Sequence, residues 1–377
     1  MLRALRTHGS LSTTELVKRT GLSRASVWAS IASLHDEGLL DEVDRSGPRA
    51  AGRPATVLAL HRRAGLAVGV DLDKTHLRVA VSDLAHAVLA ELDRPLPQDL
   101  AARAGAEAVG ELVLATLAAA GGAVTDVVGV GIGLPGPVHG EDGSLGSATI
   151  LPGWAGAHPR QLLSEQLGLP VVVDNDANLG VLAELTWGAA RGLSQVTYLK
   201  CSTGTGAGLV IDGRVYRGAG GTAGEFGHTV VDPRGPVCRC GNRGCLETLV
   251  GTQALIDLLT PSRGVLTVDE IVARALAGDG SCTTVLADAG AAIGAACATV
   301  VNLLNPEAVV VGGELAAAGE LVLGPLRQAL RRSAIASAGT EVSVVPGQLG
   351  ERAGVLGALA LALREGPGEV TVPAAVS

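Results

Sequence analysis

The densest chemistry in this chain of 377 residues lies in "GEFGHTVVDPRGPVCRCGNRGCLET", residues 224–248. Half of the six cysteines are here, Cys238, Cys240 and Cys245, together with His228, Glu225 and Glu247. Thiols and an imidazole at such spacing can make a redox pair, a disulfide staple or a metal site. The opening "MLRALRTHGSLSTTEL" lacks the apolar run of a signal peptide, and no later segment gives eighteen uninterrupted apolar residues, so the expected compartment is the cytoplasm, with no membrane partner. Thiols stay reduced there, which favours a metal or catalytic role over a disulfide. Cys201, Cys282 and Cys297 stand alone among apolar neighbours and read as small core residues.

A second constellation is "LPVVVDNDANLGVLAEL", a strand running into a helix with Asn175 and Asp176 at the junction. A carboxylate there can act as a general base or cap the helix. Two glycine groups follow strands: Gly204, Gly206 and Gly208 in "STGTGAGLV", and Gly312 and Gly313 in "VVVGGELAAAG". Backbone amides exposed by such glycines can cradle an anion, though the same glycines also serve plain hairpins.

The elements that must position these residues form an α/β pattern. "LAVGVDLDKTHLRVAVSDL" reads as two strands about a turn at Asp71 to Thr75, and "VVGVGIGLPGPV" as a buried strand ending in a loop. "VTYLKCSTGTGAGLVIDGRVY" reads as a strand, a glycine turn and a hairpin. Helices are expected over 246–259, 268–276, 287–303 and 354–363, with a strand over 308–311. With 47% hydrophobic and 18% charged residues, a chain of this length makes two or three domains.

Residues 1–63 differ in charge. They carry ten Lys or Arg against six acids, although the whole chain has net charge −8. A small basic module on an acidic body suits contact with a polyanion. In "LSTTELVKRTGLSRASVWASIASLHDEGLL", Ser12 and Glu15 form a capping box, Leu11 and Leu16 a staple, and Gly21 a stop. Ser23 caps a second helix, Leu22 and Val27 repeat the staple, and Val27, Ile31 and Leu34 make a buried stripe. The other face offers Ser23, Arg24, Ser26, Trp28 and Ser30 to a major groove. Strands over 39–43 and 56–60 flank "DRSGPRAAGRP", a wing whose Arg45, Arg49 and Arg53 would touch phosphates or a minor groove.

In chain order, "GIGLPGPV", "LPGWAG", "VDNDANLGVLAE", "STGTGAGLV" and the Cys/His stretch resemble the ROK family of repressors and sugar kinases, from about Leu66 to the last helix. The resemblance implies an actin-like (ribonuclease H-like) two-lobed domain preceded by a small α+β winged helix-turn-helix. The expected parts are the DNA-binding module at 1–63, a first lobe at 64–185 completed by the helix at 351–365, a second lobe with a zinc loop at 186–350, and a tail at 366–377. It implies a structural zinc on His228, Cys238, Cys240 and Cys245, one imidazole and three thiolates that close a tetrahedron and leave no position for a catalytic water. Arg239 and Arg243 would offset the thiolate charge. By the same resemblance Gly136, Asn175, Asp176, Glu225, His228 and Glu247 bind sugar hydroxyls, and Asp176 matches the kinase general base.

The kinases of that family carry Asp-x-Gly-Gly-Thr in a first phosphate loop, where this chain has Asp71-Leu72-Asp73-Lys74-Thr75. Asp71 and Thr75 remain, but side chains replace both glycines, and Glu314 follows Gly312 and Gly313 at the second cradle. This counts against use of ATP and Mg2+. The expected function is a sugar-responsive repressor that senses a sugar or sugar phosphate and binds double-stranded operator DNA as a homodimer or homotetramer. The alternatives are an active ATP-dependent, glucokinase-like sugar kinase with a DNA-binding module, and a zinc-stabilised scaffold.

Overall fold

The computed structural model describes residues 1–43, 57–61, 64–97, 100–139, 143–145 and 151–366. Three short helices open the chain, α1 (Leu2–His8), α2 (Thr13–Thr20) and α3 (Arg24–Asp36). The capping box at Ser12 and Glu15 forms, and Gly21 takes the left-handed conformation (φ 69°) that ends α2. Ser23 caps α3 by accepting the Ser26 N–H, and Val27, Ile31 and Leu34 are buried. Strand β1 (Leu11–Ser12) pairs with β3 (Val57–Leu60), which pairs with β2 (Leu40–Val43), all antiparallel. The second staple does not close, since Leu22 is 40% exposed. The wing loop with Arg45, Arg49 and Arg53 lies outside the described residues.

The next sheet contains β4 (Leu66–Leu72), β5 (His76–Asp83), β6 (Val88–Pro95), β7 (Val127–Leu134) and β8 (Val171–Asn175), in the order β6-β5-β4-β7-β8. β7 is buried along its whole length, as its apolar run requires. Helix α4 (Ala102–Ala119) packs on β4, β5 and β6, α5 (Pro159–Leu167) packs on α4, and Trp154 is buried where Gly105 of α4 leaves room for its ring.

Helix α6 (Asp176–Thr186) leads to a second mixed sheet of β9 (Val196–Cys201), β10 (Thr205–Ile211), β11 (Arg214–Val215), β12 (Ala308–Gly312) and β13 (Ser343–Pro346), in the order β11-β10-β9-β12-β13. β9 to β11 form an antiparallel meander, and β12 runs parallel to β9 and β13. The expected helix over 246–259 is two, α7 (Glu247–Val250) and α8 (Thr252–Arg263), because Gly251 takes an extended conformation between them and caps α8. There follow α9 (Val268–Leu276), α10 (Gly280–Leu304), α11 (Glu320–Ser333), α12 (Ala336–Glu341) and α13 (Ala353–Glu365). Gly290 and Gly294 let α10 approach the backbone of α11, where a Cβ would strike the carbonyls of Val322 and Leu326. Among the described residues α10 alone is long and apolar enough to cross a membrane, and half of that stretch is buried in this packing. Cys201, Cys282 and Cys297 are buried, and burial pushes the thiols of Cys201 and Cys297 up to about 12, as suits inert core residues.

Two compact units result: the described residues of Met1–Pro135, Asp142–Asp174 and Ala358–Ser377, and those of Gly136–Glu141 and Asn175–Gly357. The division falls after Asp174, ahead of the 185/186 boundary expected, because α6 packs on β9 and β10. The helical module at the N-terminus belongs to the first unit. From α1 the Arg6 guanidinium donates to the carbonyls of Ala362 (2.9 Å) and Gly366 (2.7 Å) at the end of α13, and the His86 ring donates from Nε2 to the Arg6 carbonyl (2.8 Å).

Candidate functional site

One candidate surface is the outer face of α3. Its inward stripe is used up by the core, which leaves Ser23, Arg24, Ser26 and Trp28 exposed, Trp28 at 58%. A tryptophan this open, one turn from a cap serine and an arginine, is free to meet a partner. Arg49 and Arg53 are outside the described residues.

The second candidate lies in the second unit and starts where β8 meets α6. Asn175 is the cap of α6: its Oδ1 accepts the Ala177 N–H (2.8 Å) and its Nδ2 donates to the Gly136 carbonyl (2.7 Å). The cap role considered for Asp176 therefore falls to its neighbour. Asp176 is the first residue of α6, and its Oδ2 is held by Lys200 Nζ at 2.6 Å. Sequence reasoning did not find Lys200; the one clue is a lone cation in the apolar strand "VTYLKC".

Glu225, His228 and Glu247 gather around the same place. His228 Nε2 lies 3.8 Å from Glu225 Oε2. Burial raises the Glu225 carboxyl above its ordinary range, and the charges of Asp176 and Glu247 raise it further. Three acids thus share one neighbourhood. Glu247 is only 9% exposed, accepts the Thr205 N–H on Oε2 (3.1 Å), and is gripped by Arg239, Nε to Oε1 at 2.8 Å and Nη2 to Oε2 at 2.8 Å. The Arg239 side chain, expected to offset thiolate charge, is thus paired with Glu247, and Arg243 donates to the Gly235 carbonyl (2.8 Å).

The other edge of His228 faces the cysteines. Its Nδ1 is 3.5 Å from Cys238 Sγ, and Cys240 Sγ is 3.6 Å from Cys245 Sγ. The ligand atoms of His228, Cys238, Cys240 and Cys245 all lie within 4.8 Å of one another and could hold a metal ion. Bonds of about 2.3 Å to sulfur and about 2.0 Å to nitrogen around a tetrahedral ion give edges of about 3.8 Å (S to S) and about 3.5 Å (S to N), so the set fits. A backbone N–H of Asn242 lowers the Cys240 thiol, while burial pushes Cys245 up to about 12, a proton that a bound cation would displace.

The glycine groups have local reasons of their own. A Cβ on Gly208 would strike the Ala177 carbonyl, one on Gly206 would sit 3.4 Å from Ala177 Cβ, and one on Gly312 would strike the Tyr198 ring. Gly313 has φ 82°. Asp71 and Thr75 belong to the first unit, where Asp71 Oδ2 is 3.7 Å from His76 Nε2, and Lys74 N–H donates to Asp73 Oδ1 (2.6 Å). The structure thus brings Gly136, Asn175, Asp176, Glu225, His228 and Glu247 into one unit and leaves Asp71 and Thr75 in the other.

The model of the ROK family matches residues 67–365, and that of a winged helix-turn-helix DNA-binding domain matches residues 1–41. The chain is 28% identical over 379 residues to the xylose repressor of Caldicellulosiruptor bescii, covering 97% of this chain and 94% of that protein. A crystal structure of a ROK family transcriptional regulator, a homologue of the E. coli MLC protein, superposes with TM-score 0.77 at 28% identity, covering 94% and 93% of the two chains. A ROK family glucokinase from Streptomyces griseus, in complex with glucose and AMPPNP, superposes with TM-score 0.68 at 31% identity, covering 79% of this chain and 99% of that one.

Proposed function

This chain belongs to the ROK family, with the family's actin-like two-lobed fold behind a winged helix-turn-helix, and we propose that it is a sugar-responsive transcriptional repressor. The observation that carries the reading is the union, in one chain, of an exposed α3 face and a carboxylate cluster suited to hydroxyls. Carboxylates accept from vicinal hydroxyls, and the Asn175 amide, fixed by Gly136 and Ala177, adds a rigid polar edge. Asp176, Glu225, Glu247, Asn175, Gly136 and the Nε2 edge of His228 would take the sugar. Repressor relatives across nearly the whole length support the DNA-binding side. Operator DNA would be read by a homodimer or homotetramer in the cytoplasm, since one small module has too little interface for selective binding.

The ion suited to His228, Cys238, Cys240 and Cys245 is zinc, and four protein ligands make its role structural. When bound it would hold the loop that carries Arg239 and Glu247.

A second reading, an ATP-dependent sugar kinase, is favoured by the likeness to the glucokinase and by Asp176 at the helix start. Against it stand Asp73 and Lys74 in place of loop glycines, and Lys200 on the carboxylate that would have to accept a proton. A thermal-shift screen of free and phosphorylated sugars with and without promoter DNA, beside an ATP-consumption assay, separates the two. Ligand stabilisation with DNA release and no turnover supports the repressor.

A further inference from the structure

Arg239 stands between two of the candidate metal ligands, Cys238 and Cys240, yet its guanidinium is engaged by Glu247 through two parallel contacts of 2.8 Å. Paired guanidinium–carboxylate contacts are the firmest of the side-chain ion pairs and fix orientation as well as distance. Glu247 in turn lies two residues beyond another ligand, Cys245, so one ion would anchor the backbone on both sides of the pair. On its far side Glu247 accepts the amide of Thr205, the first residue of β10. The turn before it is shaped to admit the pair: a Cβ on Gly204 would sit 3.2 Å from Arg239 Nη2 and 3.6 Å from Glu247 Oε2. β9, which enters that turn, carries Lys200, the partner of Asp176.

We propose that Arg239 is a positioning residue that conveys the state of the metal loop to the turn between β9 and β10. With the loop folded about its ion, Arg239 holds Glu247 against the Thr205 amide. Without the ion the hold loosens, and the turn between β9 and β10 opens to solvent. The consequence for sugar binding rests on the proposed role of Glu247, but the link itself does not.

Hydrogen exchange on the full chain, followed in peptides that resolve Thr205, tests the link before and after chelation. In the wild type chelation should speed Thr205 exchange by about tenfold or more. In metal-loaded Arg239→Met the amide should already exchange near the metal-free rate, with little further change on chelation, and Arg239→Lys, which cannot fork, should fall between. The link is refuted if metal-loaded Arg239→Met protects Thr205 as well as the wild type does, or if chelation accelerates exchange equally in both. Metal content is measured on the same samples. Should Arg239→Met shed its metal, Arg239→Gln, which removes the charge pair and leaves the Thr205 acceptor in place, is judged by the same two outcomes. No sugar is needed for this measurement, so a chain that binds none would overturn the proposed function and leave the Arg239 link to be decided on its own.

Discussion

Lys200 Nζ rests 2.6 Å from Asp176 Oδ2, so the carboxylate at the head of α6 is met by a cation from the neighbouring strand. Such a carboxylate can still accept a hydrogen bond from a sugar hydroxyl while the ammonium holds its Oδ2. Asp176→Asn should weaken sugar-induced release from operator DNA by about tenfold or more, about 1.4 kcal/mol of coupling, and leave DNA affinity without sugar unchanged. Fluorescence anisotropy with and without sugar reads both quantities. Steady sugar phosphorylation by the wild type, abolished in Asp176→Asn, would make the chain a kinase.

Protein purified without added zinc should contain about one zinc per chain, since four matched ligands bind it tightly. Cys240→Ser should lose the metal and the sugar response together, while the helices of the N-terminal module, which share no residue with the loop, keep their circular dichroism when expressed in the full chain. A metal-free wild type that still bound sugar would contradict this.

Arg24→Ala should relax sequence choice on DNA, at about 1–3 kcal/mol for the base pair concerned. Trp28→Ala should weaken DNA binding but change thermal stability by no more than about 0.5 kcal/mol, because the ring is 58% exposed. Equal loss of specific and random-sequence binding in Arg24→Ala would place that residue on the phosphates instead.

Acid should loosen the seat of α1. Burial holds the His86 ring down to about 4 from its ordinary 6.5, with Arg364 pushing the same way and the hydrogen bond to the Arg6 carbonyl opposing. Between those pH values the unfolded chain takes up the proton and the native ring does not, so stability falls as pH drops from 6.5 towards 4 and is flat above. His86→Asn, a residue that tolerates the positive φ of 74° found here, should lessen that slope in thermal melts, the remainder coming from His8, which burial likewise holds down to about 4. An unaltered slope would assign it to other groups.

The local signals were legible in the sequence because they are local. Caps at Ser12 and Ser23, the Gly21 stop and the Cys/His spacing each act within a few residues, and each is present. What escaped was either weakly patterned or distant. β6 is an edge strand with much of its length exposed, α4 is an Ala- and Gly-rich helix without a sharp stripe, and β1 is two residues long. Lys200 and Arg239 could be noticed as cations, but their partners Asp176 and Glu247 follow from how β9 and the metal loop are laid down, which no linear spacing encodes. The N-cap of α6 went to Asn175 because its amide satisfies the Ala177 N–H and the Gly136 carbonyl at once, leaving the Asp176 carboxylate for Lys200.

The grip of Arg6 on the carbonyls of Ala362 and Gly366 also sets an order of events during synthesis. Helix α1 is seated by a helix made some 356 residues later in the chain, and at about 5–20 residues per second the wait is on the order of half a minute. Until then the Arg6 guanidinium cannot reach these two carbonyls. A nascent chain stalled before Ala362 would carry its helix-turn-helix sequence without this fastening, so the contact reserves the finished geometry of that module for chains in which α13 has been made.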